Sequence, residues 1–208
     1  MPICLIETRE QLAALVERIL DAGVVALDTE FVWERTFFPA LGLVQVAVGP
    51  PAEGGCGGVE PCLIDAPAVG DLSLLGLVLI SPKVVKIVHD GQQDLTIMRR
   101  AAGCGAPRNV FDTRLAAGFC GQSSVISLTN LLTARCGLEL DKSVTRTDWL
   151  RRPLSEAQLA YALDDVRYLP ALWQGLGADL EARGHGAAFA EESRVYEEEL
   201  VTAERAPE

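Results

Sequence analysis

The sequence predicts an α/β protein in which helices flank a mixed sheet, and three observations support this. Hydrophobic residues make up 49% of the 208 residues, which is enough for one sizeable core. Three short apolar segments in the first third of the chain follow one another with short connections, as in an antiparallel meander. From residue 84 onward, apolar segments alternate with helical patterns, which indicates parallel strands.

A helix leads into the first of these strands. Thr8 to Gln11 has the form of a capping box, and apolar residues then recur at helical spacing until Gly23 stops the helix. The strands predicted next are 24–31, 41–48 and 62–65. Gln45 is the strongly polar side chain of the second strand, and such a group usually pairs with a neighbouring backbone group or with a ligand.

The second half of the chain predicts helices and strands in alternation. In order, these are a short helix within 71–80, a strand over 84–89, a helix from about 92 to 102, a strand at 110–111 and helices that begin after Asp112, Ser127 and Ser155. Pro170 kinks the last of these helices or starts a new one. The alternation predicts that this half of the sheet is parallel.

The charge of the chain is unevenly distributed. The net charge is −11, whereas nucleic-acid-binding proteins are usually basic. Residues 191–208 contain seven Glu and two Arg and so carry −5, which leaves −6 for the rest. Two divalent ions bound by four of the remaining acids would leave the body only mildly acidic, so net charge does not exclude a nucleic acid. We expect one domain over 1–190 and an acidic, solvated helical tail over 191–208.

Targeting signals and cysteines indicate the compartment. The sequence contains neither an apolar run of about 18 residues nor a secretory signal, which predicts a cytoplasmic protein without a membrane partner. The six cysteines are widely spaced without a C-x-x-C pair, and there are two histidines. This pattern indicates neither a zinc site nor a disulfide framework, so we expect reduced, mostly buried thiols.

Two carboxylates stand at the end of the first predicted strand. Asp28 and Glu30 are two residues apart and therefore project from the same face of the strand. Adjacent carboxylates repel each other and resist burial unless a cation holds them together. The pair alone is weak evidence, because an Asp at a strand end is also a common turn former. The prediction of a metal site therefore depends on acids from elsewhere in the chain.

Two further acids can complete such a site. Asp94 stands near the start of a predicted helix, where the helix dipole alone would also favour an acid. Asp165 lies within a late helix, four residues after Tyr161 and hence on the same face. Hard oxygen ligands suit Mg²⁺ or Mn²⁺, and two such ions about 4 Å apart can stabilise both oxygens of a phosphodiester displacement.

A basic segment precedes the last strong helix. Lys142, Arg146, Arg151 and Arg152 cluster around Trp149. The segment is either a solvated connection that Trp149 anchors to the core or a surface for a phosphate backbone. In the second case, reversing Arg146 and Arg152 to Glu would raise KM and flatten the salt dependence.

Three segments resemble the exonuclease motifs of the DEDD superfamily. They are 28–31 (DTEF), 89–95 (HDGQQDL) and 161–165 (YALDD). The stretches 111–117 and 140–149 are similar to those between the motifs in ribonuclease D. The resemblance extends over most of the chain and implies a ribonuclease H-like mixed sheet with helices on both faces. It also implies a metal-dependent 3′-to-5′ exonuclease that releases nucleoside 5′-monophosphates.

The third motif resembles the tyrosine subclass, because the position at which the sister subclass has His is Ala160 here. The resemblance implies that two divalent ions, Mg²⁺ or Mn²⁺, bind at the acids. Asp28, Glu30 and Asp165 would hold one ion, Asp28 would also reach the second, and Asp94 would act through the water shell of that ion. Tyr161 would orient the attacking water with a hydroxyl that need not be ionised.

The resemblance also implies substrate contacts. Phe31 would stack near the terminal base or sugar, and Gln45 is placed where a ribose contact is plausible. His89, Lys142 and Arg146 complete the residues expected to bind substrate.

The expected substrate is the 3′ end of single-stranded RNA, as in the processing of tRNA or other structured RNA. Two alternatives are open: a DNA exonuclease with the same motifs, and a nuclease-like fold kept as a non-catalytic nucleic-acid-binding module. Many bacterial ribonucleases D carry helical modules after the nuclease domain, which we do not expect here, so we expect weaker, more distributive binding. The sequence indicates no particular protein partner.

Overall fold

The computed structural model describes residues 3–34, 37–51, 56–140 and 147–202 and confirms an α/β fold with a six-stranded mixed sheet. The strands are β1 (Cys4–Ile6), β2 (Val24–Val32), β3 (Ala40–Val48), β4 (Pro61–Asp65), β5 (Val85–Val88) and β6 (Val110–Asp112). The helices are α1 (Arg9–Ala22), α2 (Ala66–Val69), α3 (Leu75–Leu79), α4 (Gln92–Ala102), α5 (Thr113–Phe119), α6 (Leu128–Cys136), α7 (Glu156–Arg167), α8 (Leu169–Ala182) and α9 (Gly186–Thr202).

The sheet has the order β1-β4-β3-β2-β5-β6. Strands β2, β3 and β4 pair antiparallel, as the short connections predict, whereas β5 pairs parallel with both β2 and β6. The predicted parallel half is therefore confirmed. Strand β1, which pairs parallel with β4, was not predicted because three residues carry too little pattern. β2 lies where the two halves meet, between β3 and β5.

Both faces of the sheet are covered by helices. Val25 and Leu27 of β2 belong to a core cluster with residues of α1, α3 and α4. Val24 and Ala26 belong to a second cluster with residues of α5, α6 and α8. Because side chains alternate along a strand, the positions that continue Val24 and Ala26 point to this second face.

The helix caps follow the sequence signals closely. Thr8 and Ser155 each form a capping box with the Gln three residues later. Pro170 starts a new helix, because α7 ends at Arg167 and α8 begins at Leu169. The helix predicted within 71–80 is shorter than expected, and the separate α2 precedes it. None of the helices in the described ranges is long and apolar enough to cross a membrane.

The expectation that all six thiols are reduced is wrong. Cys56 and Cys136 form a disulfide across 80 residues of sequence. Cys4, Cys62, Cys104 and Cys120 are thiols outside this disulfide. A disulfide of this kind leaves no local pattern in the sequence, because only the folded chain brings the segment after β3 to the end of α6.

Thiol titration of the unfolded, unreduced protein should therefore find four reactive cysteines and, after reduction, six. A Cys136→Ser variant should show five without reduction, because Cys56 then loses its partner. In a chain-entropy model a loop of this length stabilises the fold by about 4 kcal/mol, so the variant should also melt at a lower temperature. Six reactive thiols in the unreduced wild type would contradict the disulfide.

The acidic C-terminal segment is not a solvated tail. α9 continues through residue 190 without a break, and Leu200 is fully buried in the core cluster that contains residues of α4. The Glu197 carboxylate accepts from the backbone N–H of Val110 at 2.9 Å, and Arg99 donates to the Leu200 carbonyl at 2.5 Å. Exposed glutamates hide this packing in the sequence, since they occupy the outer face of the helix.

Candidate active site

Strand β2 carries the first two acids into a cleft at its C-terminal end. Asp28 and Glu30 continue the side of β2 formed by Val24 and Ala26, which is the face that α7 and α8 cover. Thr29 points to the opposite face, toward α4, and is buried. The two-residue spacing therefore places both carboxylates on one wall, as predicted.

Helix α4 brings Asp94 to the same place. Asp94 lies in the first turn of α4, where it accepts a hydrogen bond from the Thr29 hydroxyl, and it is close enough to Asp28 for its charge to raise the pKa of Asp28. Gly91 precedes the helix, and a Cβ there would lie 2.4 Å from the Cβ of Val88. Only glycine permits this close approach between the end of β5 and the start of α4. Asp94 is thus a member of the cluster as well as an acid in a favourable helical turn.

Helix α7 brings the remaining two groups. Tyr161 and Asp165 lie four residues apart on one face, and both line the cleft. The Trp149 ring packs against Tyr161 with 6.2 Å between ring centroids, and Trp149 is 3% exposed. Trp149 therefore anchors its segment to the core, as one of the two interpretations of the basic segment predicts.

A cleft of about 250 Å³ lies among these groups. Its lining residues are Asp28, Thr29, Glu30, His89, Leu128, Tyr161, Asp165 and Leu169. A larger cleft of about 530 Å³ lies elsewhere, between α5 and α9, and contains Asp112, Arg114 and Tyr196. We assign the chemistry to the smaller cleft because it is the one where several carboxylates converge.

Burial raises the pKa of all four carboxyl groups. It raises the pKa of Glu30 to about 8 and that of Asp165 to about 7, and it holds the pKa of Asp28 well above its usual range. The pKa of Asp94 rises for the same reason. Repulsion among the acids adds to the effect at Asp28 and Glu30. The cluster therefore resists carrying its full negative charge by itself.

Tyr161 remains protonated in this environment. Burial raises the pKa of its phenol above the usual value, and the nearby carboxylates raise it further. The hydroxyl is consequently a hydrogen-bond donor at neutral pH, as the sequence-based prediction allows. Burial lowers the pKa of His89, so its ring is neutral under the same conditions.

The acids fit a divalent cation by their chemistry. Oxygen ligands that are buried together and repel one another are stabilised by a hard cation such as Mg²⁺. Within the described ranges no three acidic, histidine or cysteine side chains already form a closed metal-binding group. The carboxylates that surround the cleft would therefore have to turn toward a shared ion.

The stability of the metal-free protein should decrease from pH 5.5 to pH 7.5. The folded-state pKa of Glu30, about 8, lies above its unfolded value, so the folded state binds the proton more tightly and loses that advantage as pH rises. The loss from this residue is on the order of 2 kcal/mol, or about 4–8 °C in Tm. Thermal melts in EDTA would measure it.

Glu30→Gln provides the comparison, since it keeps the shape of the side chain and removes the titration. Its Tm should fall less across the same pH interval, and Mg²⁺ should raise the Tm of the wild type more at pH 7.5 than at pH 5.5. Equal pH dependence in the two proteins would show that Glu30 does not titrate as described.

The residues expected to bind substrate differ in their burial and in their hydrogen-bond contacts. Phe31 is partly buried and directly follows Glu30 on β2. His89 lines the cleft, but its ring nitrogens contact the Thr113 hydroxyl at 2.9 Å and the Ile126 carbonyl at 3.1 Å. Lys142 and Arg146 lie outside the described residues.

Two sequence-based expectations need correction. Gln45 is fully buried, so it presents no surface to a ribose. Arg152 does not offer its charge to a phosphate, because it donates two hydrogen bonds to the buried carboxylate of Asp65, at 2.5 and 2.8 Å. It also donates to the carbonyls of Gly42 and Trp149. Arg152 therefore holds its segment onto the sheet.

Asp112 supports the site in a way that the sequence does not reveal. The sequence predicts only that Asp112 caps a helix. Its buried carboxylate accepts from the backbone N–H of Asp90 and Gly91 at 3.1 and 3.0 Å and also caps α5. The hydroxyl of Tyr196 on α9 donates to the same carboxylate at 3.2 Å. Asp112 thus fixes the turn from which α4 and Asp94 begin.

Comparison with known proteins identifies the family of this chain. A family model described as 3′-5′ exonuclease matches residues 3–181. Ribonuclease D of Desulfotalea psychrophila is 51% identical over 168 residues, which is 80% of this chain and 42% of that protein. Ribonuclease D of Escherichia coli is 36% identical over 205 residues, which is 97% of this chain and 52% of that protein.

The fold comparison gives the same result. The crystal structure of Escherichia coli RNase D, described as an exoribonuclease involved in structured RNA processing, matches with a TM-score of 0.85 and 36% identity. The match covers 96% of this chain and 51% of that one. The chain thus spans about half the length of these relatives. It belongs to the 3′-5′ exonuclease family, whose DEDD members depend on divalent metals, and it is ribonuclease D-like.

Proposed function

We propose that the chain is a 3′-to-5′ exoribonuclease that removes nucleoside 5′-monophosphates from single-stranded RNA 3′ ends. The observation that carries the proposal is the convergence of Asp28, Glu30, Asp165 and Tyr161 in one cleft, with Asp94 bonded to its wall through Thr29. The ribonuclease D relatives support RNA as the substrate, and the involvement of Escherichia coli RNase D in structured RNA processing supports a structured RNA, for which we propose tRNA precursors. The catalytic domain in this proposal is the sequence-predicted 1–190 together with the rest of α9, which packs on the same core.

Asp28, Glu30, Asp94 and Asp165 would hold two divalent ions, Mg²⁺ or Mn²⁺. When bound, such ions stabilise the charge that develops on the attacking and leaving oxygens of a phosphodiester displacement. The chain supplies the geometry: β2 fixes two acids on one wall, α4 fixes the third and α7 the fourth. Because all four are partly or wholly withdrawn from water, their interaction with a cation is stronger than on an open surface.

Tyr161 would orient the attacking water through its neutral hydroxyl. The packing of Trp149 on its ring limits the positions that this hydroxyl can take. Phe31 would contact the terminal base or sugar from the end of β2. His89, Lys142 and Arg146 remain proposed substrate-binding residues.

Digestion of 5′-labelled single-stranded RNA beside DNA of the same sequence tests the proposal. In Mg²⁺ or Mn²⁺ we expect a ladder that shortens from the 3′ end, is faster on RNA and is absent in EDTA. Faster digestion of DNA would favour a DNA exonuclease. The absence of a ladder on either substrate, from folded protein with metal present, would favour the non-catalytic binding module and contradict the proposal.

We place this activity in the cytoplasm, where precursors of structured RNA are processed. Disulfides are uncommon in that compartment. The number of reactive thiols in protein isolated without reductant therefore tests the cytoplasmic location, because the four expected for the disulfide-bonded protein would be uncommon there.

A further inference from the structure

Gln45 occupies an energetically unfavourable position. Its side chain is fully buried on β3, and neither its amide oxygen nor its amide nitrogen has a hydrogen-bond partner among the described residues. A buried polar group without a partner destabilises a protein, whereas an apolar side chain of the same shape would not. A hydrogen bond that the amide forms only in another state of the protein would account for the presence of Gln45.

The sheet register places Gln45 beside Asp28. The two residues are directly opposite each other in the antiparallel pair of β2 and β3. Side chains at such positions share a face, and their Cβ atoms are roughly 4.5–5.5 Å apart. On the other side, β4 places the apolar Leu63 opposite Gln45. Asp28 is therefore the polar side chain that the register brings next to this amide.

The surroundings of Gln45 along β3 are apolar. Leu43, two residues before it, packs with Ala162 and Leu163 of α7, and Ala47, two residues after it, packs with Val166. Gln45 therefore lies beneath α7, the helix that also carries Tyr161 and Asp165. Its amide is enclosed between an apolar layer and the carboxylate cluster.

The amide of Gln45 supplies what a carboxylate that binds a cation requires. Such a carboxylate can only accept hydrogen bonds, and a donor beside it fixes its orientation. Gln45 lies directly opposite Asp28, and its amide nitrogen is a donor without a partner among the described residues.

We propose that Gln45 is a positioning residue whose amide nitrogen donates to the Asp28 carboxylate when a divalent cation is bound there. This inference rests on the proposed function. A hydrogen bond of this kind fixes the orientation of a ligand and raises its basicity, as partners of metal ligands do in other proteins. Gln45 itself touches neither the substrate nor the ion.

Replacement of Gln45 by Met, which has a similar shape but no donor, separates this role from a purely structural one. The metal-free variant should melt at a temperature equal to that of the wild type or up to about 8 °C higher, because an unpartnered amide has been removed. Its affinity for Mn²⁺, measured by calorimetry without substrate, should fall about 10-fold to 100-fold. Its kcat should fall while KM for RNA is unchanged. Gln45→Leu serves as a second apolar variant if Gln45→Met fails to fold.

Gln158 provides a matched control because it is a buried glutamine whose amide is satisfied. Its side chain accepts from the Ser155 N–H at 3.0 Å and donates to the Thr147 hydroxyl at 3.2 Å. Gln158→Met should therefore lower Tm and leave the Mn²⁺ affinity unchanged. Gln158→Met should thus lower Tm without affecting Mn²⁺ affinity, whereas Gln45→Met should weaken Mn²⁺ binding without lowering Tm.

The outcomes distinguish this inference from the proposed function. If the wild type binds Mn²⁺ and Gln45→Met binds it equally well, or if the variant has a lower Tm with unchanged affinity, Gln45 has no positioning role. If Gln45→Met instead raises KM for RNA and leaves kcat unchanged, Gln45 contacts the substrate, and the inference is also overturned. A wild type that neither binds Mn²⁺ nor degrades RNA would overturn both the proposed function and the role of Gln45.

Discussion

Replacing Asp28 by Asn should lower the rate of RNA hydrolysis by more than about 100-fold. Loss of a residue that only supports a metal ligand costs up to about 100-fold, and loss of a proposed ligand should cost more. Asp28 is the acid that faces both Glu30 on its own strand and Asp94 across the cleft. The loss should appear mainly in kcat, because the substitution leaves the shape of the cleft unchanged. Initial rates on 5′-labelled RNA in saturating Mg²⁺ would measure it.

The same substitution should stabilise the metal-free protein. The pKa of Asp28 is held well above its usual range by burial and by its acidic neighbours, so at pH 8 folding must either bury its charge or take up a proton, and an Asn avoids both costs. Each kcal/mol of relieved repulsion raises Tm by about 2–4 °C in a protein of this size. Asp21→Asn, at an exposed site near the end of α1, provides the control and should change neither rate nor Tm. An Asp28→Asn variant that is inactive and also less stable would indicate a structural role instead.

Replacing Leu200 by Ala should destabilise the protein by about 2–5 kcal/mol, or about 4–20 °C in Tm. Leu200 is fully buried against the core cluster on the α4 side of the sheet, although it lies in the most acidic part of the sequence. Thermal or urea unfolding of the variant measures the effect. A deletion from Glu191 should destabilise the protein further, since it also removes the hydrogen bonds of Tyr196 and Glu197.

Val195→Ala provides the matched control on the same helix. Val195 is 43% exposed, so its truncation should change Tm by little. Equal and small effects of the two substitutions would mean that α9 does not pack on the core in solution. The solvated tail expected from the sequence would then be correct.

The parts of the fold that were predicted correctly are those that local patterns encode. The apolar run before Asp28 predicts β2, and the capping boxes at Thr8 and Ser155 predict the starts of α1 and α7. The same holds for the geometry of neighbouring acids: a two-residue spacing places Asp28 and Glu30 on one face whatever the rest of the chain does. The roles of these residues nevertheless remain predictions until the variants are measured.

Features that depend on the tertiary fold could not be read from the sequence. The spacing of Asp94 alone does not distinguish a metal ligand from an acid that favours a helix dipole; the contact with Thr29 became visible only when α4 was packed on β2. Cys56 and Cys136 have no common local pattern, and Asp112 resembles an ordinary helix cap. Gln45 stands out as a polar residue in an apolar strand, but the sequence does not reveal that its amide is fully buried without a hydrogen-bond partner among the described residues.

The number of Mn²⁺ ions that the protein binds together with an RNA 3′ end that resists cleavage, such as a phosphorothioate, is the most informative single measurement. Electron paramagnetic resonance of the wild type should count two bound ions at pH 8, and Asp28→Asn should bind fewer, because Asp28 is proposed to contact both. Binding of no ion by the folded wild type, or the same number with the same affinity in both proteins, would contradict a metal centre built on the acids of β2, α4 and α7.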